Sequence, residues 1–122
     1  MRMNARGVAT LIVVGRHTGE FRKVPVIPVE VGPSRYLVSP YGESDWVRNL
    51  RAASRGELSS KGRTEAFHAS EVPVDERGAI IARYREVAPS SVEPCFRKLP
   101  DAGDHPVFRV DQEASPTATD RC

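Results

Sequence analysis

A chain of 122 residues with 39% apolar and 28% charged side chains has the composition of a soluble globular domain, which excludes a disordered segment. Its longest apolar run is far shorter than the roughly 20 residues of a membrane helix, which excludes stable membrane insertion. The net charge of +2 is unevenly spread: residues 1–63 carry eleven Lys/Arg against five Asp/Glu (+6) and residues 64–122 carry seven against eleven (−4), so an anionic partner is expected at the N-terminal half.

Val8 to Val14 is short and rich in β-branched residues and reads as a buried strand. The loop Gly15-Arg16-His17-Thr18-Gly19-Glu20-Phe21-Arg22-Lys23 follows, with four potential cations. Arginine forks match phosphate or carboxylate oxygens two bonds at a time. The loop is not a P-loop, because three residues rather than four separate Gly15 from Gly19 and no Lys-Ser/Thr follows. The residues alone leave two readings, an anion grip or a charged, solvated hairpin tip.

Lys23 to Val31 reads as a second strand, interrupted by Pro25 and Pro28. Proline has no N–H for a ladder, so this strand is expected at an edge or with a bulge. Arg35 to Ser39 forms a third strand after a turn at Gly32-Pro33-Ser34. Beyond the loop Pro40-Tyr41-Gly42-Glu43, Ser44 or Asp45 caps a helix over Trp46–Ala53, with Gly56 past its end. Trp46, Leu50 and Ala53 make its inward stripe, and Arg48, Arg51 and Arg55 face solvent. Trp46 reads equally as a core residue or as a wall for a bound ring.

Glu57–Ser60 and Arg63–Val72 form a hairpin about Lys61-Gly62, with His68 on the strand surface. Asp75 caps a helix running through Val87, with Ile80, Ile81, Tyr84, Val87 and Ala88 as its apolar stripe. Gly78 within it costs about 1 kcal/mol. A short helix over Val92–Lys98 and a last strand over Pro106–Val110 complete the domain, 1–110. Residues 111–122 read as a flexible C-terminal tail. The fold class is therefore mainly β (α+β), with about six antiparallel strands and two or three helices at one end of a barrel.

Several chemistries lack their residues. The chain has no HExxH, no close His/Cys cluster and no Asp-rich calcium loop, so no metal is expected. GxSxG and GxGxxG are missing. Cys95 reads as a buried structural thiol, and two cysteines in the chain fit a reducing cytoplasm.

The run Thr10-Leu11-Ile12-Val13-Val14-Gly15-Arg16-His17-Thr18-Gly19-Glu20-Phe21-Arg22, then Pro25, resembles the deazaflavin (coenzyme F420)-dependent nitroreductase and quinone reductase family. Asp45-Trp46-Val47-Arg48-Asn49-Leu50-Arg51-Ala52, after Ser39, is similar to that family's second motif. The resemblance implies a flavin-binding type of split β-barrel using F420, with FMN as the alternative, to transfer hydride to a quinone, enone or nitro compound. It implies a cofactor site of Arg16, His17, Thr18, Gly19 and Arg22 for the anionic tail. Pro25, Val26, Ser39, Pro40, Tyr41, Gly42, Trp46 and Asn49 would surround the ring, with Tyr41 also the catalytic candidate on the substrate side. Histidine at position 17 stands where such proteins usually carry lysine or arginine, and Pro40-Tyr41-Gly42 is shorter than their Gly-rich stretch. The N-terminal helix of many such proteins has no counterpart, so a soluble protein is expected, with a second copy over the open end of the barrel. Two alternatives stay open: a non-catalytic F420 or flavin carrier, and a basic barrel for single-stranded nucleic acid. The second needs stacking aromatics interleaved with cations; aromatics are 7% and scattered, so no nucleic-acid partner is expected.

Overall fold

The computed structural model describes residues 8–112. Seven strands, β1 (Ala9–Val14), β2 (Phe21–Val26), β3 (Val29–Val31), β4 (Ser34–Val38), β5 (Arg55–Ser60), β6 (Arg63–Glu71) and β7 (Val107–Gln112), pair antiparallel in the order β2-β1-β5-β6-β7-β4-β3. Three helices accompany them: α1 (Asp45–Ala53), α2 (Gly78–Val87) and α3 (Glu93–Lys98).

The expected second strand is two strands, which brings the count to seven. The chain breaks at Ile27-Pro28, and the halves lie on opposite edges of the sheet. A segment with two prolines cannot sustain a ladder on both sides, and edge positions relieve it of that demand. Only two residues separate β2 from β3, so the two edges meet at that end and part elsewhere. The sheet is a curled, split barrel.

The barrel interior is filled by Leu11, Val13, Leu37, Val47, Leu50, Phe67 and Phe108, with Trp46 tilted on Phe108 at 6.2 Å. Burying each large side chain there contributes about 1.5–3 kcal/mol. A second cluster joins Val29, Val38 and Val107 to Ile80, Ile81 and Tyr84 of α2 and Phe96 of α3.

Several local details differ from expectation. Ser54, at φ 62°, ends α1 and its N–H donates to the Leu50 carbonyl. Chain reversal into β5 is immediate, so Gly56 lies inside a strand and is no cap. It is needed for closeness instead: a Cβ at Gly56 would sit 3.0 Å from the Ile12 carbonyl oxygen and 3.2 Å from Phe67 Cζ. Gly56→Ala is therefore expected to push β5 from β1 and to lower stability by about 1–3 kcal/mol. An unchanged urea midpoint would show that the strands relax freely.

Helix α2 begins at Gly78, after a single 3₁₀ turn over Val74–Glu76. Arg77 stands at the N-cap, and its side chain turns inward instead of continuing a helical face. Gly78 is thus the first helical residue and carries no interior penalty. Strand β7 extends to Gln112, so Asp111 and Gln112 pair with β6; the rest of the expected tail, 113–122, lies outside the described residues. His68 is exposed on β6, and Cys95 is half-buried on α3. No helix among the described residues is long and apolar enough to cross a membrane.

Candidate functional site

A cleft of about 740 Å³ opens where the barrel is split, within the range of small-molecule sites. Strand β2 forms one side from Arg22 to the Ile27 that follows it. The β1–β2 loop, the start of α1, Pro40-Tyr41 and the segment from α2 to α3 complete the lining.

The loop at one end is closed by its own backbone. Gly15 N–H donates to the Glu20 carbonyl (2.7 Å) and Gly19 N–H to the Gly15 carbonyl (2.9 Å). Gly19 takes φ 77° to make this turn, a conformation glycine adopts without strain. The Thr18 hydroxyl accepts from Glu20 N–H at 3.1 Å. Arg16, His17, Thr18, Arg22 and Lys23 line this end.

Arg16 is held firmly. Its backbone N–H and its Nη1 both donate to Asn49 Oδ1, at 3.0 and 2.7 Å. Asn49 is 5% exposed on α1, so a buried amide of the second motif positions the cation of the first. Asp45 stands 3.6 Å from Arg16 Nη2 but is largely exposed, and such a pair contributes little.

Beyond the cations, apolar side chains dominate the walls along β2 and opposite it (Val24, Pro25, Val26, Ile27, Val38, Pro40, Trp46 and Val92), with Ser44, Asp45 and Asn49 at the start of α1 and Tyr84 and Ser91 as the polar members. Trp46 packs on Phe108 as a core residue and is also among the residues that line the cleft. Tyr41 is exposed at the rim.

Three of the residues assigned to the cofactor from the sequence do not line the cleft. Gly19 serves the turn behind it. Ser39 is fully buried, and its hydroxyl donates to the Gly42 carbonyl at 2.6 Å. Gly42, at φ 83°, packs toward Asp104 and Leu99. Ser39 and Gly42 therefore shape the bend that presents Pro40 and Tyr41. His105 braces that bend from below: it is 1% exposed, with Nδ1 2.9 Å from the Ser39 carbonyl, Nε2 2.6 Å from the Leu99 carbonyl and its ring stacked on Phe96 at 4.4 Å. Glu43 closes the loop through Arg51, whose guanidinium also binds Glu71. That hydrogen bond holds the Glu43 carboxyl below its usual range.

Ser44 and Tyr84, a cap and a core residue by their place in the sequence, both line the cleft. Ser44 occupies the N-cap of α1, yet its hydroxyl makes no cap bond. It is the one buried side-chain polar atom without a partner among the described residues. Tyr84 belongs to the buried stripe of α2 and also lines the cleft. Burial, then the nearby Tyr41 phenol and Cys95 thiol, push its hydroxyl up to about 12, so it holds its proton at any physiological pH. Helical spacing announces that Tyr84 is turned inward but carries no sign that a cleft lies there.

The fold is shared with solved structures of low sequence identity. FDR-A, an F420-H2 dependent reductase, superposes with a TM-score of 0.62 at 21% identity over 85% of this chain and 93% of that one. HutZ, the heme storage protein of Vibrio cholerae, gives 0.67 at 16% over 92% and 85%. Atu2129 of Agrobacterium tumefaciens, a protein of unknown function, gives 0.64 at 18% over 88% of this chain and 48% of that one, so this chain spans about half its length. Among curated proteins the chain has no match. The sequence profile of the F420H(2)-dependent quinone reductases matches residues 1–95, most of the chain and both motifs that meet at the Arg16–Asn49 bond. The chain belongs to the F420H(2)-dependent quinone reductase family.

Proposed function

We propose that this F420-dependent reductase binds the anionic tail of the coenzyme at the Arg16 end of the cleft and reduces a neutral, planar organic acceptor toward the Tyr41 end. The observation that carries the reading is the polarity of one continuous cleft: cations gather at the β1–β2 loop, and apolar walls follow along β2.

The residues present fit the coenzyme. Arg16 and Arg22 offer charge-assisted bonds to phosphate and carboxylate oxygens, and the unpartnered Ser44 hydroxyl offers a further polar contact. Trp46, Pro25 and Val26 form flat apolar surface for a fused ring. When bound, reduced F420 supplies the hydride. The chain contributes the rest: Arg16, fixed by Asn49, sets where the tail lies and so how far along β2 the ring extends, while the apolar walls exclude water. Tyr41 covers the acceptor side from the rim.

The test is titration with F420 while following the fluorescence of Trp46, the chain's single tryptophan, together with calorimetry. Saturable binding at micromolar coenzyme is expected, followed by oxidation of the reduced coenzyme when menadione is added. Absence of binding in both measurements would sink the reading. Binding without oxidation by any quinone or enone would make the protein a carrier, and tighter binding of FMN would make it a flavoprotein.

A further inference from the structure

We infer that Tyr84 is the specificity residue for the acceptor, its phenolic O–H donating to the oxygen of a neutral carbonyl compound bound between α2 and Tyr41. The inference rests on the acceptor end proposed above and deepens it.

Tyr84 is 4% exposed yet lines the cleft, so what little surface it keeps faces the cavity. Its hydroxyl has no hydrogen-bond partner among the described residues, and it is not among the buried orphaned atoms. A phenol set in a packed core normally finds a partner; among the described residues this one has none, and Tyr84 lines the cleft. Its ring is fixed against Phe96, 6.1 Å away and tilted by 54°, so the donor is positioned before anything binds.

Charge decides the class of ligand. The lining around Tyr84 is Tyr41, Ile27, Pro89, Ser91 and Val92, with no cation, whereas Arg16, His17, Arg22 and Lys23 stand at the far end of β2. A carboxylate or phosphate would lose its hydration there without a counter-charge. A quinone or enone carbonyl needs only one donor, and a desolvated neutral phenol is one. Discrimination by a hydrogen bond to a substrate oxygen exceeds what apolar contact alone provides.

The experiment is calorimetric binding of menadione to wild-type protein and to Tyr84→Phe, each without coenzyme and with oxidised F420, which cannot reduce the quinone. The variant is expected to bind menadione about five- to ten-fold more weakly, the share of one neutral hydrogen bond, with unchanged affinity for F420. Its melting temperature should not fall, because the hydroxyl has no hydrogen-bond partner among the described residues to lose. Equal menadione affinity in the two proteins, or no binding to wild type in either state, would overturn the inference, as would a lowered melting temperature matching the affinity loss. Failure of F420 to bind would overturn the coenzyme reading separately, since the coenzyme-free measurement does not depend on it.

Discussion

Arg16→Ala is expected to weaken F420 binding about ten- to a hundred-fold, measured by calorimetry in low salt. A charge-assisted hydrogen bond contributes about 1.5–3 kcal/mol, and each 1.4 kcal/mol is about ten-fold. Arg16 should stand at the upper part of that range because its guanidinium is already held by Asn49 at 2.7 Å, so binding orders it little further. Arg22, on the exposed start of β2, must be ordered as the tail arrives, and Arg22→Ala should cost less. Asn49→Ala should share part of the Arg16 loss, since its Oδ1 also anchors the Arg16 backbone N–H at 3.0 Å. The two single losses should then sum to more than the double-mutant loss, as for residues acting through one network. Unchanged affinity in Arg16→Ala would reduce the loop to a solvated hairpin tip and remove the basis for placing the tail there.

Arg77→Ala should lower stability by about 3–5 kcal/mol in urea unfolding, a large share of the 5–15 kcal/mol of an ordinary domain. The Arg77 guanidinium is nearly buried and serves three carbonyls, those of Val72 (2.9 Å), Ala102 and His105 (3.3 Å each), with Glu71 at 3.3 Å. Removing it takes the guanidinium donor from the buried Val72 and His105 carbonyls, while Ala102 keeps the His105 N–H, and each buried acceptor left unpaired costs about 1–3 kcal/mol unless water enters. Arg77→Lys keeps the charge but not the planar fork and should fall between. The effect should extend to the cleft, because the chain from Arg77 through His105 and the Ser39 carbonyl supports the Pro40-Tyr41 bend. The KM for the acceptor should therefore rise in Arg77→Lys. An Arg77→Ala midpoint equal to wild type would show that solvent replaces the guanidinium without cost.

What the sequence alone determined was local or carried by motif. The β-branched run before Gly15, the Lys61-Gly62 hairpin, the apolar spacing of α1 and the basic loop each follow from interactions between near neighbours along the chain. The two motifs also marked out Arg16 and Asn49, which the structure brings to one cleft, without indicating that one holds the other. Only the tertiary structure decided how the proline-bearing segment splits between two sheet edges, because each half answers to a different partner strand. It likewise turned Ser39 away from the cleft, drew Arg77 into the core and set Tyr84 against a cavity. Periodicity records which side chains leave water, and a core and a cleft wall look alike by that measure. Whether a buried face meets packed atoms or open space depends on strands far away in sequence.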